Sequence, residues 1–145
     1  MAITPEDTYT KILNKLKALF RVEFKGAVPT YVGHDKQVSG SQYLRLDPVG
    51  SELTDMLTHG ETREYAINCY YYFLDKNIKE SALEHILRYT SRIEALVQNN
   101  RAVTLSDSSN LFNCRIESTE FNALEEENEY VVLLVWKGQH TGNIS

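Results

Sequence analysis

The chain has 145 residues, 42% of them hydrophobic and 24% charged, with a formal net charge of −5. That describes one compact soluble domain burying roughly 70% of its unfolded surface, which excludes a disulfide miniprotein or a disordered tail and requires no metal staple. The excess of acid also argues against a protein whose task is to coat nucleic acid, because phosphate binding draws on clustered Lys and Arg.

Thr4-Pro5-Glu6-Asp7 reads as a helix start, with Pro where the amide lacks a partner anyway and acid at the positive end of the dipole. Tyr9, Ile12, Leu13, Leu16, Leu19 and Phe20 then recur at helical spacing, with Lys11, Lys15 and Lys17 on a solvated face. From Val22 to Gln42 the pattern loosens around Gly26, Pro29, Gly33 and Gly40, which predicts either a long mobile loop or a hairpin. Tyr43 to Asp47 alternates as a strand, Asp47-Pro48-Val49-Gly50 has the chemistry of a closing turn, and residues 53–59 predict a second strand. Residues 62–74 predict a central strand. Tyr65, Ile67, Cys69, Tyr71 and Phe73 share one face and Ala66, Tyr70, Tyr72 and Leu74 the other, so helices or neighbouring chains are expected to cover both.

Ser81 with Glu84 forms a capping box, and Leu83, Ile86, Leu87, Ile93, Leu96 and Val97 predict a second amphipathic helix that Asn99-Asn100 ends. Residues 112–118 predict a half-exposed strand with Phe112, Cys114 and Ile116 inward and Asn113, Arg115 and Glu117 outward. An acidic connection leads to an interior strand over 130–137, and residues 138–145, without periodicity, predict a flexible C-terminal arm. The sequence shows no internal repeat. The expected architecture is α+β, a mainly antiparallel β-sheet flanked by two α-helices, in the order helix, strands, helix, β-hairpin. Residues 1–137 form its single domain.

No catalytic, cofactor-binding or metal site is expected. Cys69 and Cys114 lack metal or redox spacing and read as buried inert thiols. His34, His59, His85 and His140 are scattered, and no glycine-rich turn feeds a helix. Tyr70-Tyr71-Tyr72 lacks basic sequence neighbours and reads as packing rather than a base-stacking platform. Glu125, Glu126 and Glu127 read as a solvated acidic surface. The apolar run 130–136 is far short of the about 20 residues of a membrane span. The N-terminus carries acid where a secretory signal carries base, so a cytoplasmic protein with no membrane partner is expected. Aromatic residues on both faces of the central strand, a long loop and an end arm point to a subunit that binds its own kind and neighbouring proteins.

The stretches Gly40-Ser41-Gln42-Tyr43-Leu44-Arg45-Leu46-Asp47-Pro48, Ser51-Glu52-Leu53 and Arg63-Glu64-Tyr65-Ala66-Ile67-Asn68-Cys69-Tyr70-Tyr71-Tyr72 resemble the tail terminator family of tail completion proteins of tailed bacteriophages. The resemblance implies a virion structural protein, assembled in the host cytoplasm, that forms a homohexameric ring at the head-proximal end of the tail tube. It would end tube polymerisation, bind the tail tube protein and a neck or connector protein, and let DNA pass through its lumen without specific binding. It implies no catalytic residues. By position, Val32, Gly33, His34, Asp35, Lys36 and Gln37 in the loop, with Gly138, Gln139 and His140 in the arm, are the candidates for protein contacts. A ring would multiply the charge of −5 per copy, and an acidic lumen would repel the DNA backbone. A neck or head-completion protein is the nearest alternative, and a small-molecule-binding α+β domain a more distant one.

Overall fold

The computed structural model describes residues 8–25, 28–32, 42–57, 60–74, 80–106, 108–124 and 129–143. Among the described residues, two helices and six strands follow in the order α1 (Thr8–Phe24), β1 (Thr30–Val32), β2 (Gln42–Leu57), β3 (Gly60–Leu74), α2 (Glu80–Gln98), β4 (Val103–Thr104), β5 (Asn110–Leu124) and β6 (Glu129–Asn143). The strands form one sheet in the order β1-β2-β3-β6-β5-β4, parallel between β1 and β2 and antiparallel elsewhere. The chain is thus α+β, as expected. Its element order also repeats, α-β-β-β twice, with the two halves meeting along β3 and β6.

β3 and β6 pair from Gly60↔Asn143 to Leu74↔Glu129 without a register shift. Because side chains alternate along a strand, Tyr65, Ile67, Cys69 and Tyr71 share a face with Val132, Leu134 and Trp136 of β6, and all seven are buried. Ile12, Leu13, Leu16 and Phe20 of α1 and Ile86, Ile93 and Val97 of α2 join the same cluster, as their spacing predicts, and Phe24 adds to it, whereas Leu83 and Leu87, expected on the same face of α2, are exposed. Each such side chain taken from water stabilises by roughly 1.5–3 kcal/mol. The opposite face of β3 belongs to no such cluster: Ala66, Tyr70 and Tyr72 are half-buried.

β2 is one strand rather than two. Residues 47–50, expected as a turn, carry a bulge between Pro48 and Gly50, and a second lies between Leu53 and Asp55. β1 covers only residues 44–46, so at Pro48 the strand has a described neighbour on one side only. A proline without N–H is accommodated there, at an edge and a bulge, with no ladder bond lost. In β5 a bulge between Phe112 and Arg115 turns Asn113 to φ 54°, a left-handed conformation that Asn tolerates. It inverts the alternation: Leu111 and Cys114 are both buried, whereas Phe112, expected inward, is 37% exposed. The Cys114 N–H donates to the Arg101 carbonyl at 2.9 Å. α2 begins at Glu80, one residue before the Ser81 expected to cap it, and the expected helix start at Thr4-Pro5 lies outside the described residues.

The C-terminal arm requires correction. Residues 138–143 are the last part of β6, paired to β3, with 139 and 140 also paired to β5. They show no apolar periodicity because backbone pairing, not side-chain burial, holds most of them. Gly138 is on the core face, where an added Cβ would lie 2.6 Å from the Trp136 ring and 3.2 Å from Cys114 Sγ. Gly138→Ala is therefore expected to cost about 1–3 kcal/mol by overpacking, read as a fall in Tm of a few degrees or more in thermal circular dichroism. Truncation after Lys137 is expected to abolish the cooperative transition, because it uncovers Tyr65 and Leu111; an unchanged transition would refute the placement of this segment.

Candidate functional site

Of the residues singled out for protein contacts, Val32 ends β1 and is exposed, while residues 33–37 and the acidic run 125–127 lie outside the described residues. Gly138 and His140 are buried within the chain. The His140 Nε2 lies 2.9 Å from Ser109 Oγ and its ring is edge-on to Tyr65. Gln139 is on the opposite face, where it donates to Glu64 Oε2 at 3.3 Å. The fold therefore does not gather the described members of this set into one surface.

What it does gather, on the face of the sheet away from the helices, is an aromatic and arginine array. Register sets Tyr43 opposite Tyr72, and Arg45 between Tyr31 and Tyr70. Tyr43 and Tyr72 stack at 4.5 Å, with Tyr31 edge-on to Tyr43 at 6.2 Å. The Arg45 guanidinium lies 5.8 Å and 5.3 Å from the centroids of Tyr43 and Tyr72. That is the range for cation–π attraction. Arg45 Nη1 donates to the Tyr72 hydroxyl at 3.4 Å, and its buried Nε has no hydrogen-bond partner among the described residues. Of the tyrosine triplet, Tyr71 alone enters the core; Tyr70 and Tyr72 sit in this array. The basic neighbour that the triplet lacks in sequence comes from the next strand, and only the pairing register reveals it.

Further along the same face, β3, β5 and β6 bring Glu64, Arg115, Glu117 and Lys137 together. Arg115 Nη2 reaches Glu64 Oε2 at 3.1 Å and Glu117 Oε2 at 3.0 Å, and Lys137 Nζ reaches Glu117 Oε1 at 3.0 Å. Burial would raise the Glu64 carboxyl, but hydrogen bonds from Arg115 and Gln139 and the charges of Arg115 and Lys137 outweigh it and hold the pKa low. Glu117 is held low mainly by the Lys137 hydrogen bond.

On the helix side, the Tyr71 hydroxyl donates to Gln42 Oε1, which lies 3.1 Å from His85 Nε2. Burial, and then the charge of Arg88, lower the His85 pKa. Both cysteines are free and buried. Burial pushes Cys69 up to about 12, and it pushes Cys114 up to about 11 against the opposing charge of Arg115. Both thiols therefore stay protonated at neutral pH, which removes their nucleophilic form. Among the described residues, no three His, Cys, Asp or Glu side chains group so as to hold a metal ion. No described helix is long and apolar enough to cross a membrane.

Neither a family model nor a curated protein matches the chain. Solved structures do. A chain of the virion of a native gene transfer agent particle superposes with a TM-score of 0.56 at 13% identity, covering 90% of this chain and 92% of that one. At that identity the likeness establishes a shared fold over nearly the whole length of both chains.

The ion network supplies a pH test. A carboxylate whose folded pKa is depressed contributes stability above its unfolded pKa and loses it as pH falls through the folded value. Glu64→Gln is expected to lower Tm at pH 7, with the deficit closing as pH drops below the ordinary carboxylate range; a deficit constant from pH 7 to pH 3 would refute the assignment. Glu64 is partly exposed, so the effect at pH 7 is modest.

Proposed function

We propose that this chain is a structural subunit of a phage-like virion, one copy of a ring at the head-proximal end of a tail tube that ends tube polymerisation and joins the tail to the neck. The observation that carries this reading is the fold shared, end to end, with a chain of a gene transfer agent virion. The resemblance of the stretches 40–48, 51–53 and 63–72 to the tail terminator family is what favours that position in the tail.

Several surfaces support a role in assembly. β2 beyond residue 46 and β5 beyond Cys114, whose N–H is taken by the Arg101 carbonyl, have a described strand on one side only. Open edges of that length are a liability in an isolated chain, and assembly is one way to cover them. Tyr31, Tyr70 and Tyr72, grouped around the buried Tyr43, present rigid amphipathic area of the kind enriched at interfaces. Six copies around a lumen would present a net acidic body to DNA in transit, which favours sliding over adhesion.

The test is to mix the purified chain with tail tubes and image them by negative-stain electron microscopy, with light scattering of the chain alone. Rings on one end of each tube, and tubes that overgrow when the chain is omitted during assembly, are the expected results. A monodisperse monomer without affinity for tubes overturns the reading. Tubes of normal length combined with leaking heads when the chain is omitted move it to the neck.

A further inference from the structure

α1 turns Ile12, Leu16, Phe20 and Phe24 into the core, so Asn14, Ala18, Arg21, Val22 and Lys25 emerge on the opposite side. That side is unusual for an acidic protein. Lys11, Lys15, Lys17, Arg21 and Lys25 place five of the chain's 15 cations on one helix and its end. Its single described acid, Glu23, is taken up by Arg92 at 3.2 Å. Amid this charge Val22 is 76% exposed.

The β2–β3 hairpin has the opposite character. At the described start of α1 the Tyr9 hydroxyl donates to Ser51 Oγ and its ring meets Tyr65 edge-on at 5.0 Å. Beyond that point residues 52–56 are exposed, with Leu53 at 47% and Met56 at 59%. Register sets Leu53 opposite Arg63 and Met56 opposite Glu61, on the helix-side face. Glu61 is neutralised by Arg63 at 2.7 Å, so Glu52 and Asp55 give the hairpin its net acid. Thr54 Oγ1 donates to the Thr62 carbonyl at 2.9 Å and braces it.

The outer side of α1 points away from the sheet, so a chain's own hairpin cannot lie on it. We propose that these surfaces are the two halves of a head-to-tail contact between copies of this chain. The β2 edge of the hairpin in one copy runs along α1 of the next, with Leu53 and Met56 on its helix-side face against Ala18 and Val22, and with Glu52 and Asp55, which register sets opposite Glu64 and Thr62 on the other face, reaching around the edge to Lys17, Arg21 and Lys25. A contact between two different patches repeats around a ring when its rotation closes. A nucleic acid would match the cations but gives no role to Val22 or to the apolar hairpin. This contact rests on the ring reading only for its closure.

Charge reversal tests it. Lys17→Glu with Arg21→Glu, and separately Glu52→Lys with Asp55→Lys, are each expected to weaken self-association about tenfold or more in sedimentation, with circular dichroism unchanged. Mixing the two variants restores both contacts, because each reversed patch then meets a complementary one. Association insensitive to either reversal, no restoration on mixing, a monomer at all concentrations, or a helix reversal that changes only oligonucleotide binding overturns the contact. Open chains that are sensitive to the reversals leave the contact standing and remove the ring. Closed rings indifferent to them do the reverse.

Discussion

The pairing of β3 with β6, unbroken from Gly60↔Asn143 to Leu74↔Glu129, is the reference against which the rest of the molecule is set. A one-residue slip of either strand against the other would send Tyr71 or Trp136 out of the core and Tyr72 or Val135 into it. The flanking pairs are less regular: β2 against β3 and β5 against β6 each carry two bulges. Each bulge bends and twists its strand, so register is unbroken along the spine and shifts at the flanks. The helices then have one continuous apolar face to cover, and they share one core over it.

That one-sided arrangement gives the open face its character. Half-buried tyrosines shelter one another there, and a guanidinium lies over two of them. At the other end of the same face, two acids and two bases neutralise each other across three strands. Neither grouping follows from any single stretch of sequence, since each draws its members from different strands and depends on their register.

Local periodicity was enough to place α1, the two-faced pattern of β3 and the apolar start of β6. It failed where backbone geometry departs from simple alternation. Pro48 reads as a turn residue in isolation, yet an edge position with a bulge keeps the strand running past it. Asn113 shifts the parity of β5, so Leu111 rather than Phe112 faces inward. Residues 138–143 have no apolar rhythm, because Gly138 leaves room for the Trp136 ring and backbone pairing holds most of the others. Among the residues singled out for contacts, position in a presumed arm was a poor guide, for Gly138 and His140 are buried within the chain itself. The charge asymmetry of α1 was visible in its lysines, but its significance depends on the exposed Val22 and on the acidic hairpin that a chain cannot bring to its own helix.

The repeated α-β-β-β order has a consequence for how the chain reaches this structure. Each half contains a hairpin, β2–β3 or β5–β6, built from neighbours in sequence, whereas the β3–β6 seam joins residues as far apart as 60 and 143. Contacts of such high order come late and slowly, because loop-closure entropy must be overcome before they form. Until they do, the two most hydrophobic strands, each carrying a run of apolar and aromatic residues, present bare edges of matching length to any other nascent copy. A topology whose long-range seam joins two locally paired halves is therefore open to exchange of halves between chains, since either half offers the edge that the other would cover.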